Sequence, residues 1–344
     1  MSMEKAYEIP YYPSQLEICF GERCNLDCDY CFVEKTTKEV LDFPTIRKAV
    51  DIFLSLPGDK KTVTFNSSEP FVHPELFKKT VGHILKKSVG TAAQINMVAT
   101  TNGLAFNGKM RKLIASWPEN FYFHFSLDGK AESHEKHRKS REKKPNFQTI
   151  LQNFKAYPRK QNVWIIMTVV PVEAGLLEEN IEFIYRQGFK KIDVFPEIFR
   201  LWKKEEMRKF RQGMAKVLER YKDVEFRLLN RLWGESDYST VLLGADGRFY
   251  LFEWVLPLAH GNRKLFAVGD GHGLNLEKRK KVLEMLREKA GDMPAGFGKL
   301  NPLPLYLWCA YNKKNFNEYL GNFCELAGII IKADKKNVQR KIQS

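Results

Sequence analysis

Cys24, Cys28 and Cys31 stand in a C-x₃-C-x₂-C run, with Tyr30 directly before the last of them. Thiolate is the ligand of iron–sulfur clusters and of structural zinc. Three thiolates on one short loop can hold three irons of a [4Fe–4S] cube and leave the fourth iron open to a substrate or cofactor, whereas ferredoxin spacing gives every iron its own thiolate. Zinc is the competing reading. Closed zinc sites take four ligands, usually from two paired clusters, but no second C-x₂-C occurs and the nearest histidine is His73. A disulfide role needs an oxidising compartment, and the N-terminal residues carry no apolar export segment. Cys24, Cys28 and Cys31 are therefore expected to bind one site-differentiated cluster.

Such a loop needs a rigid mount. Short runs rich in Val, Ile, Phe and Met occur at 16–20, 62–65, 94–99, 121–127, 163–170 and 191–195. They read as buried parallel strands. Amphipathic stretches lie between them: one with Ile46, Ala49, Val50 and Phe53 on a face, one with Leu76, Phe77, Val81 and Ile84, and one with Leu177, Ile181 and Ile184. Six βα units with right-handed crossovers make a curled parallel sheet, two units short of a closed eightfold barrel. After a helix at about 203–222 the texture changes. Residues 240–251 read as a hairpin turning at Asp246-Gly247, followed by a helix near 276–288 and a Pro/Gly-rich link at 293–298.

The chain has 344 residues and is 44% hydrophobic, enough for a sizeable core. No run of about 18 apolar residues suggests a membrane span. Its six cysteines read as reduced, and a cytoplasmic setting is expected. The net charge of +15 favours anionic partners, RNA among them, although most basic runs are interleaved with Glu as on a solvated surface.

Each of the next three strands ends in a polar turn. Asn66-Ser67-Ser68-Glu69-Pro70 follows the second strand, Thr100-Thr101-Asn102-Gly103 the third, and Ser126-Leu127-Asp128-Gly129 the fourth, with His134-Glu135-Lys136-His137-Arg138 just beyond. Alone, Asn-Gly and Asp-Gly are ordinary turn dipeptides. In this order, behind the cysteine loop, they resemble the motifs of radical S-adenosylmethionine (SAM) enzymes of the SPASM/twitch-like subgroup. The resemblance implies an α/β fold: a partial (β/α)6 barrel over residues 1–200 and a small C-terminal α+β extension over residues 201–344. It implies a [4Fe–4S] cluster and SAM as cofactors, with Tyr30, Ser67, Ser68, Glu69, Thr101, Asn102, Ser126 and Arg138 around SAM and Arg138 paired with its methionine carboxylate. Asp128 is a candidate to orient its loop or face substrate.

The chain departs from that pattern in two places. Ser67 and Ser68 stand where the family has Gly-Gly, adding a Cβ that disfavours positive φ. The hairpin has Leu251-Phe252-Glu253-Trp254 where an auxiliary-cluster cysteine is expected, leaving Cys309 and Cys324, which together with Cys19 read as buried apolar residues. The resemblance implies reductive cleavage of SAM to a 5′-deoxyadenosyl radical and hydrogen abstraction from a peptide or protein side chain. Modification of RNA or a nucleotide is the alternative, and a non-catalytic cluster-binding protein a third reading. A low-potential donor such as flavodoxin or ferredoxin is the implied electron partner.

Overall fold

The computed structural model describes residues 9–33, 38–117, 120–228, 238–258, 260–270, 272–291 and 302–343; the Pro/Gly-rich link at 293–298 lies outside them. Along the chain run β1 (Gln15–Ile18), β2 (Leu26–Cys28), α1 (Phe43–Ser55), β3 (Lys60–Phe65), α2 (Pro74–Ser88), β4 (Gln94–Thr101), α3 (Gly108–Ala115) and β5 (Phe121–Ser126). Then come α4 (Ala131–His137), β6 (Arg138–Ser140), α5 (Phe147–Lys155), β7 (Val163–Val169), α6 (Leu177–Arg186), β8 (Lys191–Pro196), α7 (Lys204–Arg220) and β9 (Glu225–Leu228). The C-terminal part adds β10 (Thr240–Leu243), β11 (Arg248–Tyr250), β12 (Ala267–Asp270) and β13 (Gly273–Leu274), then helices Leu276–Ala290, Leu303–Tyr311 and Phe316–Gln343.

Among the described residues one 11-stranded sheet has the order β13-β12-β11-β10-β1-β3-β4-β5-β7-β8-β9. Pairing is parallel throughout from β10 to β9. This is the α/β architecture that the alternating pattern predicts. The expected six strands are flanked by two further parallel neighbours, β10 at one edge and β9 at the other. The extension thus continues the core sheet, and its hairpin turns at Gly247 with φ +77°.

The helices pack as their periodicity dictates. α1 buries Ile46, Ala49, Val50 and Phe53 and starts on Asp42, whose side chain accepts the Thr45 N–H at 2.8 Å, with Pro44 in the first turn. Beneath α1 and α2, Phe65 stacks on Phe20 at 5.7 Å and meets Phe77 edge-on at 4.9 Å. Such aromatic contacts bury large apolar area with defined geometry. They fix β1 against β3, and so fix the ends of both strands.

A second, two-stranded sheet escaped the sequence reading. β2 lies inside the cysteine loop and pairs antiparallel with β6, aligning Cys28 with Arg138. Both strands are short and polar, so no alternation of apolar residues signals them.

Candidate active site at the carboxyl ends of the strands

The parallel register brings the ends of β3, β4, β5, β7 and β8 to one edge of the sheet. The cysteine loop folds across that edge. Asn102, just past β4, donates through Nδ2 to Asn25 Oδ1 at 2.7 Å and to Cys24 Sγ at 3.4 Å. The Leu26 N–H also points at Cys24 Sγ, at 3.4 Å. Asp29 is held by His137 at 2.9 Å and, through its carbonyl, by Arg200 at 2.9 Å. At the start of the loop, buried Glu22 pairs with buried Arg263 of the extension.

Cys24 and Cys28 are half-buried and Cys31 is exposed, and none of the three is in a disulfide. Burial pushes the Cys28 thiol up to about 12, Arg138 opposes that, and the neighbouring Cys31 and Cys24 sulfurs add to it. The three thiols therefore share one electrostatic environment. Among the described residues no three His, Cys, Asp or Glu side chains converge on a point suited to a single metal ion. A cube spreads its thiolates over separate irons and makes no such demand. N–H donors aimed at a sulfur favour its thiolate form. The donor set fits a [4Fe–4S] cluster held by Cys24, Cys28 and Cys31.

Cys28, Tyr30 and Cys31 form one wall of a cavity of about 190 Å³. Thr100, Ser126 and Thr168 line it from the strand ends, Arg138 reaches it from β6, and Phe195 of β8 lines it together with Glu197 and Phe199 just past that strand. Asn66 and Glu253 face each other across the join between core and extension, the Asn66 amide donating to Glu253 Oε2 at 2.6 Å.

Arg138 and Asp128 form the most tightly partnered pair here. The guanidinium donates from Nε to Asp128 Oδ2 at 2.8 Å and from Nη2 to Oδ1 at 3.0 Å. Thr168 N–H adds a bond to Oδ1 at 3.0 Å, and the Tyr30 hydroxyl donates to Oδ2. Burial alone would raise the Asp128 carboxyl, but Arg138 and these donors hold it below the ordinary carboxylate range. Burial and Asp128 together place the Tyr30 hydroxyl well above its usual value, so it stays protonated. The turn after Asp128 requires glycine: Gly129 has φ +126°, and a Cβ there would lie 2.3 Å from Asn180.

The other residues named from the sequence, Ser67, Ser68, Glu69, Thr101 and Asn102, do not line this cavity but sit in the turns that follow β3 and β4 and at the end of β4. Glu69 is buried and accepts from Thr101 Oγ1 at 2.9 Å, from Asn102 N–H at 2.7 Å and from Phe71 N–H at 3.2 Å, stitching the loop after β3 to the loop after β4. Burial raises its carboxyl to about 7 against these donors. Ser67 is buried at φ +70° and donates its hydroxyl to buried Glu17 of β1 at 2.5 Å. Ser68 is half-buried beside Cys19. Cys19 and Cys309 are buried and Cys324 half-buried.

Sequence reasoning missed Asn66, Glu197, Glu253 and the Glu22–Arg263 pair. Asn66 directly follows β3 on the chemistry-bearing face, so its position alone is a signal. Glu197 lies in the same relation to β8. Glu253 and Arg263 reach the site across 187 and 241 residues of chain, a separation at which no local pattern exists.

Residues 18–184 match the family model of the Radical SAM superfamily. The chain is 26% identical over 184 residues to the cysteine-type anaerobic sulfatase-maturating enzyme of Clostridium novyi, covering 51% of this chain and 49% of that protein. It is 25% identical over 158 residues to the serine-type enzyme of Bacteroides thetaiotaomicron, 44% of this chain and 37% of that one. The chain spans about half the length, or less, of these curated relatives. In fold it is similar to native anSMEcpe with bound AdoMet and a Cp18Cys peptide, with TM-score 0.65, 16% identity and coverage of 94% and 99% of the two chains. It is also similar to Streptococcus suis SuiB bound to the precursor peptide SuiA, with TM-score 0.53, 12% identity and coverage of 70% and 60%. The cofactors of the matched superfamily are a [4Fe–4S] cluster and SAM. The cysteine loop and the turns after β3, β4 and β5 lie inside this matched segment, so it is residues 18–184 of the chain that carry the likeness to the radical SAM superfamily.

Proposed function

We propose that this protein is a radical SAM enzyme that modifies a side chain of a peptide or protein. The observation that carries the reading is the cavity itself: two of the three cluster cysteines on one wall, Glu253 of the extension on another, and polar strand ends between them. Cys24, Cys28 and Cys31 would hold the cluster, which would supply the electron for reductive cleavage of SAM and hence for hydrogen-atom abstraction from the substrate. The protein's own residues hold and orient. Ser126 offers a hydroxyl to the cavity, Tyr30 remains a neutral donor to Asp128, and Arg138 presents its guanidinium after Asp128 has fixed its direction. Phe32, Phe195 and Phe199 supply apolar surface against which a side chain can be held out of water. Glu253, steadied by Asn66, is the carboxylate placed to accept a hydrogen bond or proton from a substrate backbone or side chain. The peptide-bound states of anSMEcpe and SuiB, proteins of similar fold, support a peptide as the partner.

The test is anaerobic reconstitution followed by dithionite, SAM and candidate peptides deuterated at single side chains. The expected outcome is about four irons per chain, formation of 5′-deoxyadenosine, and deuterium in it from one peptide. The variant with Cys24, Cys28 and Cys31 all changed to Ala is expected to lose both iron and 5′-deoxyadenosine. Retained iron in that variant would overturn the cluster assignment. An intact cluster that never cleaves SAM would overturn the enzyme reading.

A further inference from the structure

Ser67 is one of three non-glycine residues with positive φ, at +70°, among those described. A β-carbon makes that conformation unfavourable, and a strained residue persists only where its surroundings hold it. Its surroundings do so here. Ser67 is 4% exposed, and its hydroxyl donates at 2.5 Å to Glu17, itself 2% exposed on β1. Two residues further on, Glu69 fastens the same turn to Thr101 and Asn102. Ser67 is not among the residues lining the cavity, and its hydroxyl is turned onto Glu17 of β1.

We propose that Ser67 and Glu17 lock the turn after β3 in its left-handed conformation, so that an anchored serine does what an unanchored glycine does by having no β-carbon. Ser67 and Glu17 are then positioning residues for the turn that presents its backbone to SAM. The inference rests on the reading that SAM is held at this end of the sheet. Removing the hydroxyl while keeping the β-carbon releases the turn to negative φ, and SAM binding must then restore the strained form. Glycine at the same place has neither anchor nor strain.

The experiment measures SAM affinity of the reconstituted protein by anaerobic calorimetry, with amide hydrogen exchange over residues 66–73 in the absence of SAM. Ser67→Ala is expected to weaken SAM binding about five- to thirtyfold and to speed exchange at Phe71, Val72 and His73. Ser67→Gly is expected to lose only about two- to fivefold, from the freedom of glycine in the unbound turn. Glu17→Gln keeps an acceptor for the hydroxyl and is expected to stay closer to wild type than Ser67→Ala. Iron content and thermal melting confirm that each variant is folded. Wild-type affinity in Ser67→Ala overturns the lock, and so does a Ser67→Gly variant as weak as Ser67→Ala, which would mean that the hydroxyl itself meets the ligand. Wild-type protein that binds no SAM, with exchange still faster in Ser67→Ala than in wild type, upholds the lock and overturns the functional reading instead.

Discussion

Arg138 shows how a single residue can be placed by one interaction and used for another. The resemblance assigns it to the carboxylate of SAM, yet its Nε and Nη2 are already spent on Asp128 within hydrogen-bond distance. Both side chains are buried, and a buried charge left without its partner costs far more than an exposed one. Arg138→Ala is therefore expected to lower unfolding free energy by about 3–5 kcal/mol, measured by denaturant titration of the anaerobic protein. A loss of SAM affinity with unchanged stability would mean that Asp128 does not depend on Arg138. The sequence named both residues but not their pairing. Ten positions apart across α4, their meeting depends on the turn at Gly129 and on β6 folding back along β2.

At the scale of elements, the cysteine loop is held from several sides. β2 pairs with β6, Asn102 of the loop after β4 reaches Asn25, Arg200 beyond β8 bonds the Asp29 carbonyl, and Arg263 of the extension grips Glu22. The last contact ties the extension to the cysteine loop. Arg263 also donates to the carbonyls of Leu258 at 2.6 Å and Leu256 at 2.8 Å, so it joins the loop to the segment after β11. Arg263→Met removes the charge and leaves Glu22 buried beside an apolar side chain. The expected outcome is slower recovery of iron on reconstitution and a stability loss of about 3–5 kcal/mol. Glu22→Gln/Arg263→Met, which removes both charges, is expected to recover part of that loss. Equal stabilities for the single and double variants would show that the pair does not couple the extension to the loop.

Over the whole molecule, two buried carboxyls set a pH dependence, Glu69 and Glu197, the latter with Arg200 Nε 3.3 Å from its Oε2. Burial raises Glu197 to about 7, against the Phe199 N–H at 2.8 Å and the nearby Arg200. Burial likewise raises Glu69 to about 7. A carboxyl that titrates near 7 when folded and near its ordinary value when unfolded binds more protons in the folded state over that window. Its contribution is thus fully present below about 4.5 and is lost as pH rises towards 7. Glu197→Gln carries no such proton, so its stability is expected to fall less than wild type between pH 5 and 7, by up to about 3 kcal/mol. Denaturant titrations of both proteins across that range check it; parallel curves would mean that Glu197 is not buried as a neutral acid. Among the described residues no helix is long and apolar enough to cross a membrane.

Much of the core was legible locally. The six apolar runs became β1, β3, β4, β5, β7 and β8 because a strand buried on both faces needs a continuous apolar stretch, and the helices buried the faces that their periodicity marks. The cysteine spacing and the order of strand-end turns named the residues of the site, since those motifs lie within a few residues of the strands that carry them. What tertiary structure alone decided is how these residues pair. It turned Ser67 to positive φ against Glu17, gave Arg138 to Asp128, brought Asn66 to Glu253, and sealed Glu22 with Arg263. These contacts join chain segments 10 to 241 residues apart. Their energy comes from burying polar groups together, where each must find a partner because water is excluded. A linear sequence records which polar groups exist; only the folded sheet determines which of them are shut in together.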